Sequence, residues 1–207
     1  MGQDRPSYYQ ICRIIQKAQQ NPCWWIEHFL KSPLWSIQKK IVESVWKNPK
    51  TAVRSCHGPG KSYVAARVLI AFLYNFENSV VISTAPTWRQ VEKIIWKEVR
   101  IAHRAAIAPL GGTLQPKAPE IFVRDGWGAF GLSVAKPDAF QGHHAEHLLL
   151  IADEAAGIPD EIFESAESVL TSAHSRMLLL GNPTSVPVSY THLRAHETPE
   201  HLVCRLL

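Results

Sequence analysis

The run Ser55-Cys56-His57-Gly58-Pro59-Gly60-Lys61-Ser62 constrains this chain more than any other stretch. It lies between a β-prone segment over residues 50–54 and a helix-prone one over residues 63–74. A glycine-rich turn from strand to helix aims several backbone N–H groups at one point, where the helix N-terminus adds partial positive charge. That arrangement suits a nucleotide phosphate. Ser55, His57, Gly58, Pro59, Gly60, Lys61 and Ser62 form the expected nucleotide-binding set, with Lys61 reaching the β- and γ-phosphates and the Ser62 hydroxyl ligating Mg²⁺. Ser55 stands where the pattern GxxxxGK-Ser/Thr has its first glycine. For these eight residues alone, a chance Gly/Pro turn is the competing interpretation.

A second stretch bears on the choice. His147-Leu148-Leu149-Leu150-Ile151-Ala152 reads as a buried strand, and it ends in the carboxylates Asp153 and Glu154. These fall about 90 residues after Lys61, a separation typical of a phosphate loop and its acidic partner. In open α/β sheets ligands bind beyond the carboxyl ends of the strands, where both motifs would meet. Asp153 is the expected Mg²⁺ holder, acting through water, and Glu154 the general base that orients and deprotonates the attacking water. A strand end with two solvated acids is the plainer alternative. The strand before Gly181-Asn182-Pro183-Thr184 would bring Asn182 near the γ-phosphate as a sensor, unless this is an ordinary Asn-Pro turn.

Around these motifs the first fifty residues read as helical, with elements before Pro22, over 23–30 and over 35–46. Strands are expected at 51–54, 79–84, 121–123, 129–134, 147–152 and 176–180, and helices at 63–74, 88–107 and 160–171. Alternation of this kind implies an α/β sheet with crossover helices. On the helix over 88–107, Arg89, Lys93, Lys97, Arg100 and Arg104 fall within about 80° of one face at 100° per residue, opposite an apolar stripe of Val91, Ile94, Ile95, Val99 and Ala102. Such a face could neutralise DNA phosphates, or be simply solvated.

Composition adds bounds. The chain has 207 residues, is 46% hydrophobic and 19% charged, and carries a formal net charge of +4. That suits one globular domain and permits a nucleic-acid partner. Four cysteines with no CxxC pair suggest reduced thiols and no metal site. The polar start excludes a signal peptide, and no apolar run is of membrane-spanning length, so a cytosolic protein is expected. The last residues differ from the rest. Val188 to Thr198 back-translates to a string resembling the transposon-end adapter used in preparing DNA sequencing libraries. The division expected is therefore a helical segment over 1–49, an ATPase core over 50–184 that continues in the true protein, and a non-native tail over 185–207 with no function.

Taken together, Leu34-Trp35-Ser36-Ile37-Gln38, the run Val53 through Ser62, Ser83-Thr84-Ala85-Pro86-Thr87, Phe140-Gln141-Gly142-His143-His144, Ile151 through Pro159 and Gly181-Asn182-Pro183-Thr184 resemble the ATPase domain of the large terminase subunit of tailed bacteriophages. The resemblance runs in order over most of residues 34–184. It implies a P-loop NTPase fold of the RecA/ASCE type, a mostly parallel sheet flanked by helices. It also implies ATP and Mg²⁺, double-stranded DNA, a portal protein and a small terminase subunit as partners, and a homo-oligomeric ring in the full-length protein. The setting would be the host cytoplasm and, transiently, the capsid portal. Gln38 matches the adenine-recognising glutamine. Where some terminases carry a cis-acting arginine, four before Lys61, this chain has His57, so Arg54 is the candidate to stand with Glu154 and Lys61 as catalytic. The family's C-terminal nuclease carboxylates do not occur in the chain, so ATP hydrolysis without DNA cleavage is expected. Two alternatives stay open: a DEAD-like helicase, against which Gly157-Ile158-Pro159-Asp160 argues, and a nucleotide-binding fragment without turnover.

Overall fold

The computed structural model describes residues 16–55, 60–134 and 145–182. A helical stretch over 16–20 ends at Asn21, whose side chain accepts the Trp24 N–H. Pro22 then takes the first position of helix α1 (Pro22–His28), where its missing N–H leaves nothing unpaired. Helix α2 (Ser36–Lys47) runs to Asn48-Pro49, and strand β1 (Lys50–Arg54) follows. The remaining order is α3 (Lys61–Asn75), β2 (Val80–Thr84), a composite helix α4, β3 (Thr113–Leu114), β4 (Glu120–Arg124), β5 (Trp127–Gly131), β6 (Leu148–Ala152), α5 (Asp160–Val169) and β7 (Arg176–Gly181). All six expected strands are present within a few residues of their expected limits. The short β3 was not foreseen.

The seven strands form one sheet in the order β1-β7-β6-β2-β5-β4-β3. The first five in this order run parallel, while β5–β4 and β4–β3 are antiparallel. Arg124 pairs with Trp127 across Asp125-Gly126, and Gly126 supplies the positive φ (73°) that such a two-residue hairpin demands. Strands β2 and β6 are buried along their whole length, because helices cover both faces of the sheet. Alternate residues therefore feed two cores. Val81, Leu149, Ile151, Leu178 and Leu180 pack with α1 to α4. On the opposite face Ile82, Leu150, Met177 and Leu179 pack with Ile158, Ile162 and Phe163 around α5. No helix among the described residues is long and apolar enough to cross a membrane.

The helix expected over 88–107 is not uniform. It begins as Trp88–Gln90, widens into a π turn over Val91–Ile95 and continues as Trp96–Ala105; these three parts make up α4. The Trp96 N–H reaches back to the Val91 carbonyl, a bond of the i→i+5 kind. The wide turn rotates the later residues off the 100° wheel. Val91, Ile95, Val99 and Ala102 are buried as expected, joined by Trp96, but Ile94 is 46% exposed and leaves the core stripe. Burial of the Trp96 indole compensates, with its Nε1–H donating to Ser83 Oγ at 2.9 Å.

Candidate functional site

Three parallel strands deliver the site. In the sheet, β7 lies between β1 and β6, so the loop leaving β1, the acids after β6 and the polar residue after β7 emerge side by side at carboxyl ends. Gly60 has φ 80° and caps α3, and Lys61 and Ser62 open that helix. Lys61 is buried, and its Nζ donates to Asn182 Oδ1 at 2.8 Å across 121 residues of chain. The same ammonium lies 3.9 Å from Glu154 Oε1. Ser62 Oγ donates to Asp153 Oδ2 at 2.7 Å. The other Asp153 oxygen accepts the Glu154 N–H at 3.0 Å, and the Asp153 N–H donates to the Thr84 carbonyl at 3.0 Å, so the acid is tied to β2 as well.

Burial pushes the Asp153 carboxyl above the ordinary carboxylate range, and the Ser62 hydrogen bond draws it part of the way back. A buried carboxylate with a hydroxyl already on it offers oxygen atoms of the kind hard cations take, and the neighbouring Lys61 ammonium offers charge of the kind a phosphate takes. Glu154 is built differently. Its backbone is left-handed (φ 51°, ψ 43°), unusual for a residue with a Cβ, and its side chain is 32% exposed. The strained turn brings a second carboxylate to the same spot without burying it.

Gln38 is buried on α2 rather than an exposed helical glutamine. Its Oε1 accepts the Trp35 N–H at 3.3 Å, and its Nε2 faces Gly60. Together with Trp35, Ile37, Ser55 and Lys61 it lines a cleft beside the phosphate loop. Ser55 is buried, and its N–H donates to the Gly181 carbonyl at 3.1 Å. Arg54 is placed in none of the Lys61, Asp153, Glu154 or Asn182 contacts. It lines a groove of about 380 Å³ between α2 and β1, with Lys40, Glu43 and Lys47. His57, Gly58 and Pro59 lie outside the described residues, as do 140–144 and the tail from 185.

Of the basic residues expected on one helix face, Lys93, Lys97, Arg100 and Arg104 line a single groove, and Arg89, ahead of the π turn, is not among its lining residues. Lys117 joins them from the β3–β4 connection, which nothing in the residue spacing foretold.

The Gly60 conformation can be tested directly. A Cβ there would sit 2.8 Å from Gln38 Nε2, on a backbone at φ 80°. Gly60→Ala is expected to cost about 1–2 kcal/mol from the left-handed backbone alone, read by urea denaturation. An unchanged midpoint would mean the loop relaxes to another conformation.

Comparison with known proteins bears on the fold and on the sequence as a whole. No protein-family model matches the chain. Over 142 residues it is 32% identical to "Probable terminase, large subunit" of Enterobacteria phage P7, covering 65% of this chain and 29% of that protein. The chain thus spans less than a third of that relative's length. Its fold is similar to the ATPase domain of the large terminase of Thermus phage P74-26, with TM-score 0.58 and 21% identity, over 73% of this chain and 67% of that one. The large terminase of bacteriophage HK97 is similar with TM-score 0.63 and 17% identity, over 79% and 37%. A large terminase from a thermophilic bacteriophage, solved in complex with ADP, is similar with TM-score 0.54 and 13% identity, over 72% and 39%. The chain therefore resembles a probable terminase large subunit in sequence and has the fold of the large terminase ATPase domain.

Proposed function

We propose that this chain is the ATP-hydrolysing motor domain of a tailed-phage terminase large subunit, coupling hydrolysis to movement of double-stranded DNA into a capsid. One observation carries the reading: Lys61, Ser62, Asp153, Glu154 and Asn182 converge from three strands into one contact cluster. Mg²⁺ bound with the nucleotide would supply charge neutralisation at the phosphate oxygens. Ser62 Oγ and Asp153, already 2.7 Å apart, would hold it. The Lys61 ammonium would turn from Asn182 toward the β- and γ-phosphates, a short move because both partners lie at one strand end. Asn182, released or re-engaged by that lysine, is suited to sense whether the γ-phosphate is present. Glu154 would take a proton from the attacking water, its carboxylate kept wet by the strained turn. Gln38 would meet the adenine beside Gly60. A portal protein, a small terminase subunit and neighbouring copies in a ring complete the proposed assembly in the host cytoplasm.

The test is steady-state ATP hydrolysis by the protein, with and without linear double-stranded DNA. Turnover is expected, and duplex DNA should raise it at least about twofold, since a motor's hydrolysis is linked to its track. Nucleotide binding with no turnover under either condition would leave a binding domain and remove the motor.

A further inference from the structure

The groove between α4 and the β3–β4 connection has a volume of about 610 Å³ and an unbalanced charge. Five cations line it (Lys93, Lys97, Arg100, Arg104 and Lys117) against one carboxylate, Glu92, which Lys93 already pairs at 3.0 Å. The other acid of this helix, Glu98, is turned inward and pairs with buried Arg67 on α3. Cations thus face the groove while the compensating charge faces the core.

The groove is also preformed. Arg100 reaches across it, one guanidinium nitrogen donating to the Ala118 carbonyl at 3.0 Å. The far wall is tied back to the sheet, with the Gly131 N–H donating to the Pro119 carbonyl at 2.7 Å. The Arg100 Nε remains buried without a hydrogen-bond partner, so this guanidinium is only partly committed to its own fold. Lys93 is 65% exposed, and Lys97 and Arg104 are exposed as well. Among the described residues no aromatic side chain lines the groove, whose apolar members are Ile101 and Pro116. Single-stranded nucleic acid is gripped by stacking bases on aromatic rings, and nothing here offers a ring. Exposed lysines over a fixed wall suit phosphates instead, which carry no sequence information.

We infer that this groove seats the sugar-phosphate backbone of double-stranded DNA, through Lys93, Lys97, Arg104 and Lys117, without reading the bases. The inference rests on the motor reading for its ligand, while the groove's charge and shape stand apart from the nucleotide site.

The experiment is fluorescence anisotropy with a labelled 30-base-pair duplex at about 50 and 200 mM salt, where phosphate contacts dominate affinity. The double variant Lys97→Glu/Arg104→Glu is expected to bind at least about tenfold more weakly at the lower salt, with a salt slope shallower by about two. A charge-matched control, Lys40→Glu/Lys47→Glu on α2, should change affinity by less than about twofold. Lys117→Glu, on the facing wall, should weaken binding in the same direction, so a melted double variant does not end the test. Groove variants that bind like the control would overturn the inference. So would an unaltered protein that ignores duplex, or one that prefers a single strand of equal length. ATP turnover of the unaltered protein separates the two proposals. Turnover without a groove effect keeps the motor and moves its DNA contact elsewhere. Groove-dependent duplex binding without turnover keeps the groove and removes the motor.

Discussion

Glu154→Gln is expected to lower the turnover number for ATP by about 10²–10⁴-fold, the usual range for a lost general base, while nucleotide affinity stays within about twofold. The two side chains have nearly one shape, and the left-handed backbone at φ 51° asks the same of both. What the amide cannot do is accept a proton from water. It also removes the negative charge 3.9 Å from the Lys61 ammonium, so the lysine should hold phosphates at least as well as before. Phosphate release at saturating ATP gives the rate, and a fluorescent nucleotide titration gives the affinity. A variant that keeps half its rate would move the base elsewhere. One that loses affinity along with rate would make Glu154 a structural support of the loop.

The second large effect is on stability. Trp96→Ala removes a fully buried indole at the point where the π turn hands over to the rest of α4. Truncations of this size cost about 3–5 kcal/mol, a large part of the stability of a typical domain. For a chain of this length that corresponds to a fall in Tm of roughly 10 °C, measurable by circular dichroism. Trp96→Phe divides the cost, since it keeps most of the ring but leaves Ser83 Oγ without its indole donor. Because Ser83 also donates to the Phe130 carbonyl, the Phe variant should lose only about 1–2 kcal/mol. Equal losses for both substitutions would place the whole effect in the hydrogen bond.

Much of the fold was legible because its strands are apolar on both faces and end in punctuating polar residues. The run Leu148 to Ala152 announces a central strand, and Asp153-Glu154 marks its carboxyl end. Lys61 and Ser62 stood out from a local motif alone, and the structure places them at the start of α3, in contact with Asn182 and Asp153. Asn182 was singled out only as a polar residue at a strand end, and its 2.8 Å contact with Lys61 depends on the strand order. Other features depend on packing that no local pattern encodes. The π turn exists because Val91, Ile95 and Trp96 must all face the core, and a uniform wheel therefore misplaced Ile94. The pairing of Thr113–Leu114 involves two residues, too few to leave a periodic trace. Lys117 reaches the basic groove through a carbonyl bond from Arg100 to the residue after it, an adjacency with no counterpart in spacing. Gln38 stood out only through its place ahead of the phosphate-loop motif, and its burial beside Trp35 and Gly60 is a matter of packing.

The position of β7 between β1 and β6 has a consequence in time. Among the described residues β1 pairs with β7 alone, register Lys50 with Met177. During synthesis, the strand that launches the phosphate loop therefore waits for its neighbour until the ribosome has added more than a hundred further residues. At about 5–20 residues per second that interval is roughly 6–25 s, far longer than a helix needs to form. Lys61 and its helix α3 are made early, whereas the contact that binds Lys61 to Asn182, 121 residues on, is made last. A nascent chain that has made Lys61, Asp153 and Glu154 still lacks the Lys61–Asn182 contact, so the proposed nucleotide site is complete only once β7 closes the sheet.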